Sequence, residues 1–94
     1  MRTRSRIRYR KLERIHRQAS QRIARTLSSD QRKILVLAGE GYEISEIARE
    51  LALPPEYVHT FFTGMIQRLT HDGLLPSPDR RNLLIWATET GIIQ

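Results

Sequence analysis

Apolar residues recur along this chain at steps of three and four, the spacing of amphipathic helices rather than the alternation of strands. The first run is a thin apolar stripe formed by Tyr9, Leu12, His16, Ala19, Ile23 and Leu27. Two interpretations of this stripe stay open. The helix packs on the rest of the chain or on a second copy in a dimer, or it becomes ordered only on nucleic acid.

Capping residues and prolines mark where four further helices begin and end. Serine and aspartate oxygens cap helix N-termini, glycine ends helices, and proline suits a first helical turn. The predicted helices run from residues 28–30 to 39–41, from 43–45 to 51, from 55 to 69–71, and from 79 to about 91. We therefore expect an all-α helix-turn-helix domain of about four helices over residues 27–94. A basic N-terminal helix or arm over residues 1–26 precedes it.

The helix predicted to begin at residue 55 has an inward row of Val58, Phe61 or Phe62, Met65 and Leu69. Whether both phenylalanines fit the core stays open, and one left outside would suit a protein partner better than DNA. Gly64 lies mid-helix, where glycine costs about 1 kcal/mol relative to alanine. Either another group approaches the backbone closely there, or the helix is locally weak.

Positive charge is concentrated at the N-terminus of the chain. The net charge is +6, but residues 1–26 hold ten cations and one anion, whereas residues 27–94 hold six cations and nine anions. Such an arm favours a polyanion, because each phosphate it neutralises releases condensed counterions. Nucleic acid is the expected partner, and residues 1–8 are expected to be disordered alone. The candidate phosphate-binding residues of the arm are Arg2, Arg4, Arg6, Arg8 and Arg10.

Several other classes of protein are disfavoured. The chain has no cysteine, hence no disulfide or thiolate metal site, and no apolar run approaches the ~20 residues of a membrane span. The three histidines, His16, His59 and His71, lack the pairing of a metal site, and there is no glycine-rich phosphate loop or nucleophile elbow. We expect a cytoplasmic protein that is not an enzyme, with no metal and no cofactor.

Two short helices joined by a tight turn at Leu53-Pro54-Pro55 have the layout of a helix-turn-helix, whose second helix is offered to the major groove. From residue 27 to residue 69 the sequence resembles, without a gap, the DNA-binding domain of LuxR/GerE-type regulators. The matching positions are Leu27, Ile34, Leu35, Leu37, Ala38, Gly41, residues 46–51, Val58, Arg68 and Leu69, with weaker matches at Arg80, Trp86, Ala87 and residues 91–93. The resemblance covers roughly two thirds of the chain. Its Glu-Ile-Ala core is shared with region 4 of sigma factors.

The resemblance implies that the helix beginning at Pro55 is the recognition helix. At the corresponding positions that family carries threonine, lysine and other polar groups, whereas this chain has no fixed cation before Arg68. Glu56 should repel phosphate, although a glutamate also accepts a hydrogen bond from cytosine N4. The candidate DNA-binding residues on this helix are Tyr57, His59, Thr60, Thr63, Gln67 and Arg68. The resemblance also implies a homodimer surface on the final helix, with Leu84, Trp86 or Ile92 as candidates.

The first hypothesis is a regulator that binds double-stranded DNA through the recognition helix and the basic arm. The alternative is a protein-interaction module with a degenerate helix-turn-helix, which binds a partner from the transcription apparatus. RNA binding through the arginine-rich arm is a third, weaker hypothesis.

Overall fold

The computed structural model describes residues 15–94, and within this part of the chain all regular structure is helical. The described part of α1 covers residues 15–26, and it is followed by α2 (Ser29–Gly39), α3 (Ile44–Leu51), α4 (Pro55–His71) and α5 (Arg80–Glu89). The predicted all-α architecture, four helices preceded by an N-terminal one, is confirmed. The predictions for Tyr9, Leu12 and the five arginines of the arm lie outside the described residues.

Helix α2 begins and ends where its capping residues predict. The Ser28 hydroxyl accepts a hydrogen bond from the Gln31 backbone N–H at 3.1 Å, and the Gln31 side chain accepts one from the Ser28 N–H at 2.9 Å. This reciprocal capping box satisfies two N–H groups that the helix itself leaves free. At the other end Gly41 adopts a φ of 97°, which allows the Tyr42 N–H to reach the Leu37 carbonyl at 3.1 Å.

Helix α5 begins at an aspartate cap. The Asp79 carboxylate accepts a hydrogen bond from the Asn82 backbone N–H at 2.8 Å, and this bond is the main reason why the pKa of Asp79 lies below its usual range. The Ser77 hydroxyl donates a second bond to the same carboxylate at 2.9 Å. The connection from α4 therefore ends in a well-defined first turn of α5.

One hydrophobic core joins all five helices. Helix α4 packs against α3 and α5, and α2 packs against α3 and α5. The largest side chains that are fully buried are Ile34, Leu35, Ile47, Val58, Leu69 and Leu83. The three-helix unit of α2, α3 and α4 is therefore closed on one side by α5.

The second half of α1 belongs to this core. Ile23 and Ala24 are buried, and the Trp86 indole N–H donates a hydrogen bond to the Ser20 hydroxyl at 2.9 Å. The prediction that Trp86 belongs to a dimer surface is wrong, because only 3% of this residue is exposed and its polar edge is bonded within the chain. His16 is exposed rather than part of the apolar stripe.

Arg32 attaches α2 to the C-terminal end of α1. Its guanidinium donates to the Ala24 carbonyl at 2.9 Å and to the Leu27 carbonyl at 3.4 Å. A cation placed at the last carbonyls of a helix is favourable for both hydrogen bonding and the helix dipole. The end of α1 is thus held beside the start of α2.

We predict that Ser20→Ala lowers the free energy of unfolding by about 1 to 3 kcal/mol, because it leaves the buried Trp86 N–H without an acceptor. Urea unfolding followed by fluorescence measures this directly, since Trp86 is the only tryptophan in the chain. Ser45→Ala, the same chemical change at an exposed position of α3, is the control and should change stability much less. Equal effects of the two substitutions would contradict the prediction.

Candidate nucleic-acid interface

Helices α3 and α4 are joined by a turn whose geometry fixes the start of α4. Ala52 adopts a left-handed conformation with φ 54° and ψ 44°, which allows the Leu53 N–H to bond to the Ala48 carbonyl at 2.9 Å. Pro54 is the N-cap of α4 and Pro55 its first residue, a position where the missing N–H costs nothing. The sequence predicted the stop before the prolines but gave no signal for a left-handed alanine.

The inner face of α4 is buried along its length. Val58, Phe62, Met65 and Leu69 belong to the core, as their spacing predicts. Phe61 lies beside them and is partly buried, and its ring centroid is 6.1 Å from that of Phe62 in a tilted arrangement. The two phenylalanines therefore do not form an exposed apolar patch, which removes the main sequence argument for a protein-binding surface.

The opposite face of α4 is exposed and consists of two neighbouring rows at i, i+4 spacing. We call this surface the outer face of α4. Its rows are Glu56, Thr60, Gly64 and Arg68, and His59, Thr63, Gln67 and His71, all of them exposed. Tyr57, at the edge of the first turn, is 41% exposed. The structure thus brings all six predicted residues of the recognition helix onto accessible surface of one helix.

Charge on α4 runs from acidic to basic along the helix. Glu56 lies in the first turn, and Arg68 and His71 lie in the last turn. This order complements the helix dipole and so stabilises the helix. It also means that α4 offers a cation to phosphate at its C-terminal end rather than at its first turn.

Arg80 fixes the helix-turn-helix unit to α5. Its guanidinium donates a hydrogen bond to the Tyr42 carbonyl at 2.7 Å and lies 5.3 Å from the centroid of the Phe62 ring. One side chain therefore connects the turn between α2 and α3, the inner face of α4 and the start of α5. The sequence indicated Arg80 only as a position matching the family pattern, and gave no reason for its role.

The C-terminal end of α1 borders the outer face of α4. A groove of about 370 Å³ separates them, which we call the α1–α4 groove. It is lined by Thr26, Leu27, Gln31, Thr60, Phe61, Gly64, Met65 and Arg68. Three further cations of the basic segment, Arg17, Arg22 and Arg25, are exposed on α1. The residues of α1 and its C-terminal end that border α4 are Thr26 and Leu27, whereas Arg17 lies beside the end of α5 with Glu89 and Thr90.

Gly64 has no packing role within the described residues. An ideal Cβ built at this position would meet no heavy atom within 4 Å, apart from the chain neighbours and the backbone of its own helix turn. The sequence allowed two explanations for this glycine, close approach by another group or a locally weak helix. Within residues 15–94 no other part of the chain approaches it closely. The residue opens a gap in the side chains of the outer face, between Thr60 and Arg68.

Neither a cluster of metal ligands nor a membrane-spanning helix is found among the described residues. Within residues 15–94 no three histidine, aspartate or glutamate side chains are grouped so that they would hold a metal ion. No helix among these residues has both the length and the apolar character needed to cross a membrane.

Comparison with known proteins does not assign a family. Neither the protein-family models, nor the curated proteins, nor the solved structures gave a match to this chain. The resemblance to LuxR/GerE-type domains accordingly stays a prediction that depends on the residues given above.

We predict that Ala52→Gly raises the free energy of unfolding by about 1 kcal/mol, because glycine adopts a left-handed conformation without the Cβ penalty. Thermal unfolding followed by circular dichroism measures the change. Ser45→Gly, at an exposed and ordinary helical position of α3, should instead lower stability by about 1 kcal/mol. Destabilisation by both glycines would show that the left-handed turn is not the populated conformation.

Proposed function

We propose that this chain is a cytoplasmic DNA-binding transcriptional regulator. In this proposal α4 enters the major groove, and the basic N-terminal arm contacts phosphates or enters a minor groove. The observation that carries the proposal is the exposed polar outer face of α4, which is held by a buried inner face and is bordered by the C-terminal end of α1. It occurs in a chain whose first 26 residues are rich in arginine.

The outer face of α4 has the chemistry needed to contact base edges. Threonine hydroxyls and the Gln67 amide are donors and acceptors for bases, and a methyl group of threonine fits against thymine. The 17 residues of α4 give a helix of about 25 Å, long enough to follow the major groove past several base pairs. Of the candidate residues, Tyr57 and His59 lie nearest the N-terminal end of α4, the part that contacts bases in helix-turn-helix proteins.

The arm supplies affinity that does not depend on sequence. Ten of the 16 cations of the chain lie in its first 26 residues. This concentration of positive charge compensates for the weak attraction of α4 to phosphate, since α4 carries Glu56 and lacks a fixed cation before Arg68. We therefore assign attraction to phosphates mainly to the arm, and selection among DNA sequences to α4.

A homodimer through α5 is part of this proposal and derives from the resemblance to LuxR/GerE-type domains. Of the predicted residues, Leu84 and Ile92 are partly buried, and Trp86 is buried in the core of the chain. Ile85, which the sequence analysis did not single out, is 45% exposed on α5 and is a better candidate.

A protein-interaction module is the second candidate. One specific observation favours it. The exposed Tyr57 ring lies next to Glu56 in the first turn of α4, where a DNA-binding protein would present polar or basic groups. Under this alternative the first turn of α4 binds a protein of the transcription apparatus, and the arm only tethers the complex to nucleic acid.

We predict that Arg6→Ala in the full chain weakens binding to all duplex DNA sequences about equally, and lowers the slope of log affinity against log salt by about 0.9. Fluorescence anisotropy with labelled duplexes between about 50 and about 200 mM salt measures both quantities. Arg6→Lys keeps the charge and should keep the slope. An unchanged slope in Arg6→Ala would remove Arg6 from the phosphate contacts.

We predict that Tyr57→Ala reduces affinity for a preferred sequence, selected from random duplexes with the wild-type chain, by on the order of tenfold. Affinity for unselected duplexes should stay within about twofold, because a lost base contact costs roughly 1 to 3 kcal/mol only at the preferred site. Ser29→Ala, at an exposed position at the start of α2, is the control. Equal losses on all sequences, or no preferred sequence at all, would favour the protein-interaction module.

A further inference from the structure

We propose that the α1–α4 groove holds one sugar–phosphate strand of the bound duplex, and that Gly64 lacks a side chain so that this strand can approach the α4 backbone. The inference depends on the proposed function and deepens it, because it assigns a DNA backbone contact to a position of α4 that bears no side chain.

The first support is that Gly64 is unfavourable for the isolated molecule. It lies in the tenth position of a 17-residue helix, far from both ends, where glycine weakens a helix. Its φ is not in the left-handed region, in contrast to those of Gly41, Gly73 and Gly91. Neither backbone conformation nor packing among the described residues requires it. A remaining reason for a glycine at this position is that a group from another molecule approaches the α4 backbone closely.

The second support is the chemistry on either side of Gly64. Thr60 and Arg68 lie one turn before and one turn after it, on the same row of the outer face. A hydroxyl and a guanidinium are both donors to phosphate oxygens. An anionic strand that crosses α4 at Gly64 would pass between these two side chains.

The third support is the charge of the groove. Among the residues of the described part of the chain that line it, Arg68 is the only charged one and none is a carboxylate. The partly buried Phe61 ring supplies an apolar surface suited to the deoxyribose. This combination complements a sugar–phosphate strand better than an apolar helix of a protein partner.

Substitutions of Gly64 test the inference because stability and DNA affinity should change in opposite directions. Gly64→Ala should raise the melting temperature by about 4 to 8 °C. The same substitution should weaken binding to the preferred duplex several-fold, and Gly64→Leu should weaken it by on the order of tenfold or more. Arg68→Gln should lower the salt slope by about 0.9. Ser29→Leu adds bulk at an exposed position at the start of α2, outside the surfaces assigned to DNA and to the homodimer, and should leave affinity unchanged.

The possible outcomes separate this inference from the proposed function. A more stable Gly64→Ala that binds DNA more weakly supports the inference, since unfolding does not explain the loss. If both Gly64 variants bind like the wild type while Tyr57→Ala loses sequence preference, the inference is overturned and the proposed function stands. If the wild-type chain binds no duplex, both are overturned, and a protein occupant of the groove becomes the hypothesis.

Discussion

Burial of the inner face of α4 is the interaction on which the rest of the structure depends. Val58, Phe62, Met65 and Leu69 span more than three turns of this helix and place it at the centre of the core. Burying each such side chain contributes roughly 1.5 to 3 kcal/mol, before the entropy of ordering the chain is subtracted. Because α3 and α5 pack against the same helix, their positions follow from this burial. The outer face stays accessible for the same reason, since a helix buried on one side leaves the other side to solvent or to a partner.

Helix α5 connects the basic segment to this core. Its Trp86 packs against α1 and donates a hydrogen bond to Ser20 on that helix. At the start of α5, Arg80 contacts the turn between α2 and α3. The cations on the described part of α1 are therefore held in place relative to α4. This matters for the proposed function, because phosphate contacts made from a fixed helix set the position of the protein on DNA, whereas contacts from a free tail only raise affinity.

Whether α4 is better suited to DNA or to a protein partner depends on the chemistry of its first turn. Glu56 is favourable for the helix, since it meets the positive end of the dipole, and unfavourable for an approaching phosphate. Burial of Phe62 and partial burial of Phe61 leave Tyr57 as the main exposed aromatic residue of α4, which is a small surface for a stable protein interface. The outer face as a whole is polar, and the polar residues at its centre favour DNA.

The sequence by itself determined the number of helices, their approximate ends and the inner row of α4, because capping residues, glycine, proline and apolar spacing act locally. The candidate residues of α4 are exposed for the same reason, because the positions between the inner rows of a helix face outward. It did not decide between Phe61 and Phe62, it placed Trp86 on a dimer surface, and it gave no sign that Ala52 is left-handed or that Gly64 faces an open groove. These features were decided only by the tertiary structure. The placements of Phe62 and Trp86 depend on which distant residue comes to lie opposite, Arg80 for Phe62 and Ser20 for Trp86, and helical spacing carries no information about contacts between helices. The left-handed Ala52 depends on how the turn between α3 and α4 closes.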